Sequence, residues 1–254
     1  MGPWTGVVLP LTEPGSDDLN SSLPAHLHPV AGRPLVWHTV RAVASLVPAP
    51  ECVMVVMDPE ASSADLFADL PGRVEVIAPG QETPWQGRTL RVHAAAPCAG
   101  PAFQRLLDEG VAACAVDEAG RPVAFFDDGE GTGAGDRHDP DAAFVTTRAD
   151  LARAGAVIRD RLVLKLMEGG VTFLLPQSVL VDVDVGIGRD TIIYPGVVLE
   201  GRTTIGAETV VGPCCRIVNS WVGSGVELKG FNYLSNTSIR NRAILEPHVR
   251  RGFD

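Results

Sequence analysis

The sequence predicts an α/β unit built on a mostly parallel sheet, followed by a short left-handed parallel β-helix of hexapeptide repeats. Two textures carry that reading. Over residues 1–150, β-branched runs alternate with helical stretches through short links, the pattern of a parallel sheet covered by helices. From Val181 onward an aliphatic residue recurs every six positions, a period that neither a strand nor a helix supplies.

In chain order, residues 6–10 and 52–57 are bounded β-branched runs, and 73–78 and 89–93 repeat the pattern more weakly. Helical stretches lie between and after them at 34–46, 63–70 and 101–108, the first with a Pro at its opening turn. Segments 113–116 and 122–126 read as a hairpin joined across 117–121. Residues 127–141 are rich in Asp, Glu and Gly and predict a mobile, solvated loop. Carboxylates suit a hard cation such as calcium, but their spacing here matches no calcium-loop motif. A connecting helix at 151–170 follows. Thr147 and Asp150 resemble a capping box, Leu151, Ala154, Ile158 and Leu162 form an apolar stripe, and Gly169-Gly170 stops it. Gly155 inside it costs about 1 kcal/mol against Ala. The expected units are therefore 1–150, the helix 151–170, and a β-helix over 171–254.

The hexads run through Val181, Ile187, Ile193, Leu199, Ile205, Val211 and Ile217, then continue after five-residue steps at Val222, Leu228, Leu234, Ile239 and Leu245. Gly often follows the aliphatic residue, as at Gly188, Gly206, Gly212 and Gly223, and the fifth place is small or β-branched (Thr191, Val197, Thr203, Thr209, Cys215). Three hexads make one triangular coil, and coils stack at strand spacing, ~4.8 Å. Twelve hexads predict four coils, each buried only by its neighbours. Prisms of this kind associate side by side about a threefold axis, so a homotrimer is expected.

Composition narrows the function. A formal charge of −10 with no local Lys/Arg cluster argues against nucleic acid as partner. No apolar run is long enough to cross a bilayer, and the apolar start lacks a basic n-region, so it reads as a first strand. A cytoplasmic location is the expectation. The five cysteines contain no C-x-x-C pair, which fits reduced thiols; Cys214 and Cys215 are expected as fillers of a narrow core.

Three segments carry a resemblance. Leu23-Pro24-x-x-Leu27-His28-Pro29-Val30-Ala31-Gly32-Arg33-Pro34, Val145-Thr146-Thr147-Arg148-Ala149-Asp150-Leu151 and Lys165-Leu166-Met167-Glu168-Gly169-Gly170-Val171 resemble, in the same order, segments of the bacterial bifunctional N-acetylglucosamine-1-phosphate uridyltransferase/glucosamine-1-phosphate acetyltransferase family. Ile187 through Gly201 is similar to that family's first coils. The resemblance implies an eroded, Rossmann-like nucleotidyltransferase domain before the β-helix. In the family this domain joins a sugar phosphate to UTP with magnesium, and the β-helix transfers acetyl from acetyl-CoA.

The chain departs from that pattern where charge must be handled. The family's L-A-A-G-x-G-T-R-M loop is replaced by a segment in which the Gly position carries Thr12 and the Arg position Asp18. Ala25 stands at the Lys of L-P-K. Glu13, Asp17 and Asp18 crowd the place of a triphosphate, and like charges ~5 Å apart repel by about 3 kcal/mol at an effective dielectric of about 20. The family's two magnesium ligands align with Ala95 and Thr146. The base-contacting stretch has no counterpart between Gln81 and Val92, and the sugar-binding G-Y-G-R is replaced by Ala112-Ala113-Cys114. Glu246-Pro247-His248-Val249-Arg250 resembles the start of G-P-F-A-R-L-R-P, which makes Arg250 the candidate for a residual sugar-phosphate contact. His248 reads as an exposed polar residue rather than the acetyl-transfer base, which the family places in coils beyond Asp254.

These departures imply no catalytic residues, metal or cofactor. The expected function is a non-catalytic homotrimeric paralogue acting as a scaffold, binding or regulatory protein, with mixed assembly with the authentic enzyme as a further partner. The alternative is an enzyme of the sugar-phosphate nucleotidyltransferase/acetyltransferase class with altered or residual activity in UDP-N-acetylglucosamine and cell-wall precursor synthesis. His26, His28 and His93, with Glu13, Asp17 and Asp18, would be its candidates. Acyl transfer by the β-helix itself is a third reading, for which four coils offer no complete CoA groove. Arg242, Pro247, Arg250 and Arg251 are expected to guard the last coil against edge pairing.

Overall fold

Val7 and Val8 are fully buried in the middle of β1 (Thr5–Leu9), an interior strand of a seven-stranded sheet in a computed structural model. The structure describes residues 2–9, 19–58, 65–81, 87–130 and 135–252. After β1 come β2 (Pro29–Val30), β3 (Arg33–Pro34), α1 (Leu35–Ala44), β4 (Cys52–Val56), β5 (Val74–Ile77) and β6 (Thr89–His93). Then follow α2 (Gly100–Glu109), β7 (Ala113–Val116), β8 (Pro122–Asp127), β9 (Gly135–His138) and α3 (Arg148–Glu168). The chain divides into two compact units, Met1–Pro29 with Pro34–Ala154, and Val30–Arg33 with Gly155–Asp254.

The first unit's sheet has the order β5-β4-β1-β6-β8-β7-β9. β4 and β6 flank β1 in parallel, β5 adds in parallel to β4, and β8 runs antiparallel to both β6 and β7. α1 packs by its apolar stripe, with Leu35, Val36, Val40 and Val43 fully buried. A Cβ at Gly6 would fall 2.6 Å from Val43 Cγ1, so glycine in β1 sets how closely this helix approaches. α2 buries Phe103, Leu106 and Leu107 and ends at Gly110, which has φ of 68°.

The structure corrects two expectations here. Residues 65–70, the described part of the expected helix 63–70, form successive turns, with Ala68 N–H donating to Asp65 O and Leu70 N–H to Phe67 O. Phe67 is the only large apolar side chain buried there, too little to hold a helical face. The acidic run 127–141 is also not simply a loop. It contains β9, an exposed edge strand pairing in parallel with β7. Beyond it, Asp139 and Asp141 both accept hydrogen bonds from Arg105. That bond holds the Asp139 carboxyl below its usual range, against the opposing effect of burial. Among the described residues no group of three or more His, Cys, Asp or Glu is placed to hold a metal ion.

α3 begins where the sequence offers a capping box. Asp150 N–H donates to Thr147 Oγ1 at 3.1 Å, and Thr147 N–H donates back to Asp150 Oδ2 at 2.9 Å. Ala154, Ile158 and Val163 are its buried residues, whereas Leu151 and Leu162 are only half-buried. It ends in a Schellman motif: Gly170 has φ of 94°, its N–H reaches Met167 O, and Val171 N–H reaches Leu166 O. No helix of the described chain is long and apolar enough to cross a membrane.

In the second unit, short parallel strands stack into three sheets of five, five and four strands. The hexad aliphatics form the inward ladders. Phe173, Ile193, Val211, Leu228 and Leu245 stack in one sheet, and Val181, Leu199, Ile217 and Leu234 in the second. Ile187, Ile205, Val222 and Ile239 make the third. The stack starts one strand before the first hexad, at Thr172–Phe173, and its last described strand is Arg250–Arg251. Thr191, Thr203 and Thr209 are fully buried, each hydroxyl donating to a backbone carbonyl: Gly206 O, Glu200 O and Gly223 O. Where glycine follows the aliphatic residue, it also has a cause. A Cβ at Gly206 would lie 2.5 Å from Ser224 N in the next coil.

Cys215 fills the core as expected, but Cys214 is exposed at a corner with φ of 54°. Val30–Arg33 forms part of this unit. Arg33 donates to both carboxylate oxygens of Asp184 at 2.9 and 3.1 Å, and Val183 N–H reaches Ala31 O. Gly32, at φ of 80°, leaves room for the Asp182 carboxylate. The Ala31-Gly32-Arg33 match in the sequence thus marks a docking turn.

Candidate functional site

Strand order locates the place to look. The chain builds outward from β1 to β4 and β5, then returns to lay β6 on the other side of β1. At such a switch point, the carboxyl ends of adjacent parallel strands splay apart and leave a crevice. Those ends are Leu9 on β1 and His93 on β6, which are register partners.

From His93 the chain enters Ala94, Ala95 and Ala96, all essentially inaccessible. Ala94 N–H donates to Leu9 O at 2.7 Å, and Ala95 N–H donates to His93 Nδ1 at 3.0 Å. Val145 N–H donates to Ala95 O at 2.9 Å, which brings position 146 beside position 95. The two expected metal-ligand positions are therefore neighbours. They offer the Ala95 methyl group and the Thr146 hydroxyl, which donates to Asp150 Oδ2 at 3.1 Å. Asp150 is the nearest carboxylate by sequence, and both of its oxygens are engaged. Oδ2 takes the amides and hydroxyls of Thr146 and Thr147, and Oδ1 takes Arg153. Magnesium requires oxygen ligands in near-ideal octahedral geometry, and this donor set does not fit it.

Burial opposes ionisation of Asp150, but the hydrogen bonds from Thr147 and Thr146 outweigh it and hold the carboxyl below its usual range. A depressed carboxyl stabilises the fold above its unfolded pKa of about 3.9, and that contribution fades as pH falls through the folded value. Asp150→Ala is expected to lower stability by about 1–2 kcal/mol at neutral pH. In urea unfolding series, the gap between parent and variant should stay constant from neutral pH down to about pH 5 and close in stronger acid.

The remaining expected positions fall as follows. Ala25 is buried in a 3-10 turn, Ala25–Leu27, so the family's Lys position here is a packed methyl. Arg250 lies in the second unit, exposed, with its guanidinium 5.6 Å from the Tyr233 ring centroid. Thr12, Glu13, Asp17 and Asp18 lie outside the described residues. Of the histidines, His28 is buried with Nε2 lacking a partner, and Leu35 N–H binds its carbonyl. His93 is also buried. Its pKa is lowered to about 4, first by burial and then by the charges of His26 and Arg121.

One feature of the crevice has no sequence signal. His93 stacks on Phe144 at 4.4 Å and 29°, and the Arg121 guanidinium lies 4.5 Å from the centroid of the same Phe144 ring. Asp117 fixes Arg121 by accepting its Nε–H at 2.7 Å. These residues come from β6, the β7–β8 turn and the segment before α3, too far apart for any local pattern to join them.

Taken together, the chain combines a mostly parallel α/β sheet with a β1/β6 switch point and a parallel β-helix of hexapeptide repeats. Residues 184–219 match the family model described as bacterial transferase hexapeptide (six repeats). Part of the chain is similar to bifunctional GlmU proteins. It is 40% identical over 108 residues to the bifunctional protein GlmU of Caldanaerobacter subterraneus subsp. tengcongensis, covering 42% of this chain and 23% of that protein. It is 44% identical over 108 residues to that of Clostridium botulinum (strain Kyoto / Type A2), covering 42% and 21%. The match thus spans less than a quarter of the length of these relatives. Among solved structures, a 4-diphosphocytidyl-2C-methyl-D-erythritol synthase from Anaerococcus prevotii superposes at a TM-score of 0.43 with 13% identity, covering 61% of this chain and 96% of that one.

Proposed function

We propose that this chain is a non-catalytic relative of the GlmU enzymes that acts as a trimeric scaffold, binding or regulatory protein. The observation that carries the reading is the pairing of Ala95 and Thr146. The two positions lie side by side, as two ligands of one cation would, yet one is a methyl group and the other is committed to the α3 cap. The absence of a Lys at Ala25 supports the same reading, since the buried turn has no cation to offer a phosphate. Trimer formation is supported by apolar side chains left exposed along the coils, Leu180, Trp221, Phe231 and Ile244 among them. Side-by-side prisms would cover such residues. Mixed assembly with an authentic bifunctional enzyme follows from the same shared faces.

Sedimentation velocity tests the assembly half. At micromolar concentration a species of three 26.8 kDa chains is expected. A monomer would contradict it. The chemical half is tested by pyrophosphate release from UTP and N-acetylglucosamine-1-phosphate with magnesium, which is expected to stay at the protein-free rate.

A second reading, an enzyme with altered chemistry, would need a ligand pocket in the first unit. A cavity of about 170 Å³ opens beside Arg91 and His93. It falls below the ~300–1,000 Å³ of usual small-molecule sites and is too small for a sugar nucleotide.

A further inference from the structure

The chain passes between its two units at three places, after Pro29, after Arg33 and after Ala154. The last crossing lies inside α3, but the first two enclose a short turn that leaves the first unit and returns to it. That turn is built to hold its shape. Ala31 and Gly32 have φ of 47° and 80°, and two central residues with positive φ are what a tight two-residue hairpin between β2 and β3 requires. Pro29 and Pro34 fix φ at either shoulder, and Leu35 N–H donates to His28 O at 3.0 Å across the base.

Three groups at the start of the β-helix grip its tip. Val183 N–H donates to Ala31 O at 3.1 Å. The Asp182 carboxylate lies against Gly32, where a Cβ would fall 2.7 Å from its Cγ. Asp182 is itself held from the next coil, its Oδ2 accepting Gly201 N–H at 2.8 Å. Asp184 closes the grip by taking Arg33 Nε–H at 2.9 Å and Nη2–H at 3.1 Å. Such a fork is directional and charge-assisted, and with side chains only 19% and 30% exposed it is partly shielded from salt. Backbone, shape and charge therefore specify one docked position for this turn.

Both ends of the turn run into the first unit's framework. Two residues upstream is the 3-10 turn Ala25–Leu27, and directly downstream is α1, whose Leu35 and Val36 are fully buried. We propose that Pro29–Pro34 is a strap, latched by Arg33 on Asp184, that makes the two units unfold as one cooperative body and carries a structural change in either to the other. The strap requires neither a trimer nor any chemistry in the crevice, so it stands if the proposed function fails.

Urea unfolding at a single protein concentration, followed by pulsed hydrogen exchange and mass spectrometry, gives each unit a midpoint from its own peptides. In the parent chain the two midpoints are expected to coincide. Arg33→Met keeps the aliphatic stem and deletes the fork, and Asp184→Asn deletes the charge that it grips. In each variant the midpoints are expected to part by about 0.5 M urea or more. Gly206→Ala serves as the comparison, because it crowds the coil backbone at Ser224 and leaves the latch intact. There both midpoints are expected to fall together. Midpoints that differ in the parent, that part in Gly206→Ala, or that stay together in both latch variants overturn the proposal.

Discussion

Gly206→Ala is expected to destabilise the β-helix by about 3 kcal/mol or more, whereas Gly186→Ala leaves it within about 0.5 kcal/mol. A Cβ at Gly206 would sit 2.5 Å from Ser224 N and 2.7 Å from Gly223 C, both backbone atoms of the next coil that no rotamer change can move aside. The coils would have to separate there. Gly206 N–H donates to Val222 O at 2.8 Å, and Gly206 O accepts from the buried Thr191 hydroxyl at 2.9 Å, so separation strains two buried hydrogen bonds as well. Each such loss adds about 1 kcal/mol or more. At Gly186 the added methyl group meets nothing within 4 Å. Urea unfolding of the two variants side by side decides the point, and equal midpoints would refute the close-approach explanation of the glycine pattern.

Ala95→Asp is the second large effect. Putting back a carboxylate where the family holds magnesium is expected to cost about 3–5 kcal/mol rather than create a metal site, the usual penalty of a buried, uncompensated charge. Ala95 is fully buried, and Thr146 and Asp150 beside it already bond to each other. No described group is left to share a cation with the new side chain. Thermal melts with and without magnesium check this. A variant that melts like the parent, or one that magnesium stabilises by mass action, would mean that the crevice is still a latent metal site.

The β-helix was legible in the sequence because an inward aliphatic residue recurs in each hexad, often with a second buried residue at the fifth place, and burial imposes that period on the coils. The ladder from Ile193 through Leu245 follows it apart from the two five-residue steps. Phe173 lay outside the regular spacing, so the first strand did not show. In the first unit, strands that bury a face were readable, from β1 to the β7–β8 hairpin. β9 was not, because Gly135–His138 is exposed along its whole length and pairs through backbone alone. Cys214 was misread for a related reason: a corner residue with positive φ points outward whatever its polarity. The nearness of positions 95 and 146 was suggested only by family resemblance. The capping box at Thr147 and Asp150 was visible, but not that Asp150 also binds Thr146. The stack of His93, Phe144 and Arg121 depends on the sheet bringing distant segments together, and no local spacing announces it.

The most direct measurement is pyrophosphate release by the 254-residue chain supplied with UTP, N-acetylglucosamine-1-phosphate and magnesium. The rate is expected to equal that of the protein-free mixture. It is expected to remain there in the double variant Asp18→Arg with Ala25→Lys, because restored cations neither supply a carboxylate at position 95 nor free the Thr146 hydroxyl from Asp150. Release that scales with protein concentration and disappears when magnesium is chelated would contradict the account.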